Sequence, residues 1–452
     1  MPWKRVKQGA ALLGLLVWAQ TAAADPALLG TKLTPLGSDP SASTDGMIPA
    51  WKGGITKPPA GYERGGDHID PFASDKRLFT ITAANADRYA DRLSAGQRAM
   101  LAAYPDTYKI HVYPSRRSCA LPEAVYEATR KNASSARLTE NGNNVEGALM
   151  GVPFPVPESA QEVMWNHNFY YHGHRYQARI TGGTVFPDGR HVRVVRDDKR
   201  WNFYTNPDTA SSEDLDNSQF YWTGIWSAPS NIAGSGFSMI NSINQYRQPR
   251  HGHMFRPDIG KIVRASSGAV TYDAPMQSAM GLRISDDMFL YNGSPDLYEW
   301  RLIGKRAMVI PYNVYAATHT GVALDDILTP RHLNPELIRH EMHRVWVVEA
   351  TLKEGKAHPY ARRRFYADED SWILVGVDIY DEKGDLVRVQ QGYIKNYYEH
   401  PACLLEFDAL YDLPSGRYNI DNLKVEFGPA DLDADISLKD FGSTALQQAI
   451  TR

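Results

Sequence analysis

The sequence predicts an α+β fold in which capped helices come first and an antiparallel sheet takes up most of the chain from about residue 170 onward. Three observations carry this. Helix start and stop signals lie between Thr82 and His167. Short β-rich runs punctuated by turn residues follow Tyr170. Four strand-like runs joined by short polar loops fill Glu341 to Gln391. Helices followed by strands, rather than alternating with them, point to antiparallel pairing.

Residues 1–24 read as a cleavable export signal: Lys4, Arg5 and Lys7 precede an apolar run, and Ala22-Ala23-Ala24 is a small-residue site that predicts cleavage near Ala24/Asp25. The apolar run is shorter than the roughly 20 residues a membrane-spanning helix needs. A soluble protein of the Gram-negative periplasm is therefore expected. Without the signal, 46 Lys+Arg face 52 Asp+Glu. That acidic balance argues against nucleic acid as the main partner, since phosphate binding draws on a basic surface.

Residues 25–71 are crowded with breakers ("GSDPSASTDGMIPAWKGGITKPPAGYERGG") and lack either hydrophobic period, so an extended N-terminal arm is expected ahead of a single domain over 72–452. Within that domain, Thr82 to Tyr104 reads as one helix stopped by Pro105. A second helix starts at Pro122, where proline suits the first turn, and a third spans Glu158 to His167. Strands follow in "HRYQARITGGTVFPDGRHVRVVRDD", "KRWNFYT", "SGFSMINSINQY" and "HMFRPDIGKIVRAS", with hairpin turns placed at Gly182-Gly183 and Asp188-Gly189. "ALDDILTPRHLNPELI" is interrupted by Pro330 and Pro335 and predicts short helical pieces only.

The runs "EMHRVWVVEATL", "ARRRFYA", "WILVGVDIY" and "LVRVQQGYI" form an antiparallel meander. In the third, both alternating faces are mostly apolar, so that strand is expected to be covered on both sides.

The candidate chemistry is sparse. His340-Glu341-Met342-His343 falls one residue short of the spacing that places two imidazoles on one helix face, and on a strand residues three apart point to opposite faces. It reads as a strand starting with polar residues at a sheet margin. Two "HGH" runs, at 172–174 and 251–253, lack an accompanying carboxylate or Cys set, and no metal or cofactor is expected. Acidic residues such as Asp286, Asp287, Asp368, Glu369 and Asp370 are read as solvated turns. The two cysteines, Cys119 and Cys403, either pair in an oxidising compartment or remain buried thiols. What remains is aromatic content: 10 Trp, 25 Tyr and 14 Phe, many in the β-rich half, including Trp201, Tyr221, Trp222, Trp226, Phe289, Tyr291, Trp300, Trp346 and Trp372. As a group they fit an exported protein that encloses an apolar ligand.

The segments "SAPSNIAGSG", "DIGKIVRASSGAVTYDAP", "DDMFLYNGSPDLYEWRLIGKRAMVIPYN", "EMHRVWVVEATLKEG" and "RRRFYADEDSWILVGVDIYDEKGDLVRVQQ" resemble the DUF1329 family of exported proteins, related to the outer-membrane lipoprotein-sorting (LolA/LolB-like) periplasmic carriers. The resemblance implies a strongly curved antiparallel half-barrel with helices packed across its concave side and an apolar cavity between. It implies no catalytic residues. Family members carry aromatics before the Pro-x-x-Gly-Lys turn, whereas His253-Met254-Phe255-Arg256-Pro257 keeps only Phe255.

The expected function is thus a non-enzymatic carrier for a lipid or other hydrophobic molecule, serving a membrane transporter or an outer-membrane component. Phe289, Trp300, Trp346, Trp372 and Leu374 are the expected ligand contacts. The rival reading is a periplasmic hydrolase using carboxylates or a His-bound metal in the same cleft, which requires His167, His172 and His174 to converge with an acidic residue. A third reading has the N-terminal arm binding a partner protein.

Overall fold

The computed structural model describes residues 25–265 and 273–451. The expected export signal and its cleavage point lie outside the described residues. No helix among those described is long and apolar enough to cross a membrane.

The chain builds one large antiparallel sheet. Its strands are β1 (Phe79–Ile81), β2 (Ile110–Val112), β5 (Arg175–Val185), β6 (His191–Asn202), β7 (Ser218–Ala228), β8 (Gly236–Ser242), β9 (His251–Arg256), β10 (Lys261–Arg264), β11 (Tyr298–Pro311), β12 (His340–Leu352), β13 (Arg362–Asp368), β14 (Leu374–Tyr380), β15 (Leu386–Tyr397), β16 (Ala402–Asp412) and β17 (Arg417–Leu423). A separate hairpin pairs β3 (Arg137–Thr139) with β4 (Asn144–Glu146). The main order is β11-β12-β13-β14-β15-β16-β17-β5-β6-β7-β8-β9-β10, with the β1–β2 hairpin attached beside β12 through a parallel pairing of His340 with Val112. β10 and β11, at the two ends, do not pair with each other among the described residues, so the curved sheet stays open.

The expected meander is present as β12 to β15. Its strands are covered on both faces, as the two-sided pattern of "WILVGVDIY" predicts. On one face, α2 (Glu123–Ser135) and α3 (Ala160–Asn168) contribute Val125, Val163 and Met164 to a core with Phe365, Trp372, Val377 and Ile379. On the other, α1 (Ala95–Ala103) sets Met100 and Leu101 against Val309, Val389, Tyr393 and Phe407. The close approach of α1 depends on Gly96, whose amide donates to Asp378 Oδ1 at 2.9 Å. A Cβ there would lie 2.4 Å from that oxygen.

Three local expectations are corrected. Thr82 to Tyr104 is not one helix: a 3₁₀ segment at Ala86–Arg92 ends at Leu93, and α1 begins afresh with Ser94 and Gln97 forming a reciprocal capping box. Gly182-Gly183 is not a turn but lies inside β5, where Gly183 brings its backbone against the Val192 carbonyl, 2.5 Å from where a Cβ would sit. The hairpin turn falls at Asp188-Gly189, with Gly189 at φ +90°. Finally, the polar start of β12 is no margin, because His340, Glu341 and His343 are all buried.

"ALDDILTPRHLNPELI" gives short pieces, α4 (Leu324–Ile327) and a 3₁₀ turn at Pro335–Leu337. The terminal helix α5 (Gly442–Ile450) packs on β8 and β9. Cys119 and Cys403 are bonded, with Cα atoms 5.6 Å apart, and close a loop of 284 residues.

Candidate functional site

Cross-strand register on β6 to β9 gathers large apolar side chains on one face. Arg196 pairs with Trp226 and Arg200 with Trp222; Trp222 in turn pairs with Met239, Gly224 with Phe237, and Phe237 with Met254. Alternation along each strand then puts Trp222, Gly224 and Trp226 on the same side as Phe237, Met239 and Met254. Gly224 is required there, since a Cβ would meet the Phe237 ring at 2.6 Å.

Residues from 274 to 288, including Pro275, Met276, Ser285 and Met288, lie across this face without filling it. They leave a cavity of about 740 Å³, within the range of roughly 300–1,000 Å³ typical of small-molecule sites.

The strand-face wall is soft and apolar, while Ser230, Asn231, Arg250, Arg256 and Gln277 add polar groups to the lining. Phe237 meets Trp222 edge-on at 4.8 Å and Trp226 at 5.4 Å between ring centroids. The methionines supply polarizable, adaptable surface. Arg196 at the wall is neutralised by a bidentate pair with Asp198, at 2.7 and 2.9 Å. The indole N–H groups of Trp222 and Trp226 are buried and find no acceptor among the described residues.

The residues expected to contact ligand fall elsewhere, with one exception. Trp372 and Leu374 are fully enclosed in the core beneath α2 and α3. Trp346 stacks on Trp372 at 6.2 Å with Lys305 over its ring, and Trp300 stacks on Phe365 at 5.9 Å while donating to the Pro295 carbonyl. Phe289 alone borders a hollow, a small one beside α3, and its ring lies 5.6 Å from Trp222. Among the described residues the hollows beside α3 and α1 are small, and the large cavity lies on the neighbouring β6–β9 sector. Trp222 and Trp226 stood out as aromatics in the sequence; the signal that would have singled them out is their period-2 placement around Gly224.

The acidic runs are not solvated turns. Asp286 is buried against Arg363 at 2.8 Å and His358 at 3.1 Å. Burial alone would raise its pKa, but the guanidinium and imidazole hold it well below the usual carboxylate range. Asp370 is bidentate to Arg117 at 2.7 and 2.8 Å, and Arg117 also donates to the Asp39 and Pro49 carbonyls of the N-terminal arm. Trp372 Nε1 donates to the Leu36 carbonyl at 3.0 Å, and the Ser38 hydroxyl donates to the Glu369 carbonyl at 2.5 Å. The arm is thereby stitched to the β13–β14 turn.

Donor atoms of His343, Asp368 and Asp370 lie within 4.8 Å of one another, close enough to test as a metal triad. His343 and Asp370 are engaged by other side chains, whereas Asp368 Oδ1 is buried without a hydrogen-bond partner among the described residues. His343 faces Glu341 at 3.2 Å and Asp368 at 3.4 Å through its two ring nitrogens. Burial favours the neutral ring, but hydrogen bonds to Asp368 and Glu341 push its pKa up to about 10. The histidines of the rival hydrolase do not gather either. His167 accepts from the Leu374 amide and donates to the Phe289 carbonyl, and burial lowers its pKa to about 4. His172 bonds Asn202 and the Tyr170 carbonyl, and His174 abuts Trp201. Among the described residues no carboxylate forms an ion pair with these three. The large cavity's lining has no histidine, and its carboxylate, Asp258, is paired with Arg256.

A family model described as "Protein of unknown function (DUF1329)" matches residues 80–447. The chain belongs to this family. An uncharacterized protein of Pseudomonas aeruginosa is 40% identical over 438 residues, covering 97% of this chain and 96% of that one. Among solved structures, a DUF1329 family protein from Desulfovibrio piger aligns with TM-score 0.43 at 13% identity, covering 63% of this chain and 96% of its own. A putative outer membrane lipoprotein-sorting protein domain from Vibrio parahaemolyticus aligns with TM-score 0.43 at 13% identity, covering 63% and 97%.

Proposed function

We propose that this DUF1329 protein holds or carries a lipid or another hydrophobic small molecule in the periplasm, without catalysing a reaction on it. The observation that carries the reading is the cavity of about 740 Å³ walled by Trp222, Trp226, Phe237, Met239, Met254 and Met288. In this reading the curved sheet acts as an open half-barrel. The ligand lies against β6–β9, with Phe289 at the inner end. Each methylene removed from water contributes about 0.8 kcal/mol before the cost of association is subtracted. A long acyl chain therefore supplies most of the affinity. A membrane transporter or an outer-membrane component would receive the cargo.

Binding of radiolabelled hexadecanol to the full chain tests this. Wild type is expected to saturate near one per chain, and Met239→Arg, which sets a charge in the cavity, to bind at least about tenfold more weakly, the cost of desolvating an unpaired guanidinium. Absence of binding to wild type overturns the proposal.

A further inference from the structure

The small hollow bordered by Phe289 has a feature that an acyl-chain site alone does not need. It is lined by Arg200, His167, His172, Gln219, Asn241, Gln245 and Phe289 and has room for about 30 Å³, enough for one or two water-sized groups. Arg200 is 6% exposed, yet among the described residues its side chain makes no hydrogen bond and no ion pair, and its Nε is buried without an acceptor. The neighbouring Arg196, two residues along the same strand face, has Asp198 as a bidentate partner.

Arg200 has aromatic faces instead. Its guanidinium carbon lies 4.7 Å from the Phe289 ring centroid, 5.1 Å from Tyr176, 5.3 Å from Phe220 and 5.8 Å from Trp222. Rings stabilise the flat faces of the cation but accept little at its N–H edge. A buried guanidinium left in that state is costly, and an anionic oxygen group is the partner that removes the cost. The nearby acids are already engaged: Asp198 is bidentate to Arg196, and Glu406 is bonded to Lys395 at 2.9 Å and lies 3.6 Å from Lys424. His172, bonded at both nitrogens, has its pKa lowered to about 3 by burial and by the Arg200 charge, so it stays neutral beside an incoming anion. The amide oxygen of Gln245 is likewise buried without a partner. Oxygen and nitrogen of such an amide are interchangeable by rotation, which would turn a donor into the hollow.

The two hollows share a wall. Trp222 lines the large one and pairs across the strands with Arg200, while the consecutive residues Met288 and Phe289 line the large and the small one respectively. The Trp222 and Phe289 rings meet at 5.6 Å where the two hollows adjoin. We infer that the ligand is a long-chain carboxylate, its tail in the large cavity and its carboxylate on the Arg200 guanidinium, reached by rotating the Phe289 ring aside. This rests on the carrier reading above. The size of the small hollow selects a carboxylate over a bulkier phosphate.

Equilibrium binding of palmitate, hexadecanol and acetate to the full wild-type chain, and to Arg200→Met and Arg200→Lys, separates the claims. Wild type is expected to bind palmitate at least about tenfold more tightly than hexadecanol, to hold acetate weakly or not at all, and to keep part of the preference in Arg200→Lys. Arg200→Met should bind both amphiphiles equally. Equal affinity of wild type for palmitate and hexadecanol overturns the carboxylate assignment and leaves the carrier reading standing; this comparison needs no variant to fold. Failure of wild type to bind either amphiphile overturns both. Tight acetate binding that palmitate does not displace overturns the assignment in favour of a free-anion site. Undiminished preference in a folded Arg200→Met overturns it as well.

Discussion

Replacing His343 by Gln probes how the buried run at the start of β12 is held together. In the folded chain His343 lies between Glu341 and Asp368, a setting that favours its charged form, with the Tyr312 ring stacked on it at 4.1 Å. Its pKa rises from 6.5 to about 10. At about 1.4 kcal/mol per unit this corresponds to roughly 5 kcal/mol as an upper figure. A folded pKa above the unfolded one gives stability that is full below about pH 6.5 and is lost as pH climbs through about 10. Between pH 7 and 10 the loss is therefore about 3 to 4 kcal/mol.

Lys424 works in the opposite direction. Burial pushes its pKa down to about 8 from 10.5, so it adds stability as pH rises over that window and masks the His343 effect in the wild type alone. The diagnostic quantity is the difference between wild type and His343→Gln, measured by guanidinium denaturation at pH 7, 8, 9 and 10. The variant should be about 3–5 kcal/mol less stable at pH 7, the cost of breaking a buried pair, and the gap should shrink by about 3 kcal/mol or more by pH 10. A gap that stays constant within about 1 kcal/mol refutes the charged-histidine argument.

Three further outcomes follow from the same geometry. Gly96→Ala forces a methyl onto Asp378 and Val389, 2.4 and 2.6 Å from the new Cβ, and should lower the denaturation midpoint by an amount equivalent to about 1–3 kcal/mol, although alanine is ordinarily the better helix former. Replacing both Cys119 and Cys403 by Ser should remove up to roughly 5 kcal/mol through the entropy of a 284-residue loop; a variant as stable as the oxidised wild type contradicts this. Arg117→Met leaves Asp370 buried without its bidentate partner and releases the carbonyls of Asp39 and Pro49. Limited proteolysis should then cut within residues 39–50 at protease levels that leave the wild type intact.

The legible parts of the fold were those specified by local chemistry. The meander showed because two-sided apolar strands alternate with loops such as "DEKGD", and α2 showed because Pro122 marks its start. The break before α1 was equally local, in Ser94 and Gln97, but the helical period on either side concealed it. The "DEDS" turn was misread because its partners, Arg117, Lys305 and Arg344, come from distant parts of the chain. Gly182-Gly183 was misread because a glycine that admits a neighbouring backbone looks the same in sequence as one that turns a chain. The cavity was anticipated in kind and not in place. Aromatic residues are abundant in both halves of the sheet, and only the lie of residues 274–288 across β6–β9 determines which of them border empty space.

The most direct measurement is mass spectrometry of organic extracts from the protein purified out of its native host, compared with the Met239→Arg variant prepared in parallel. The account predicts a long-chain amphiphile at close to one per wild-type chain and a severalfold lower amount with the variant. Wild-type extracts free of such a molecule in repeated preparations would contradict it.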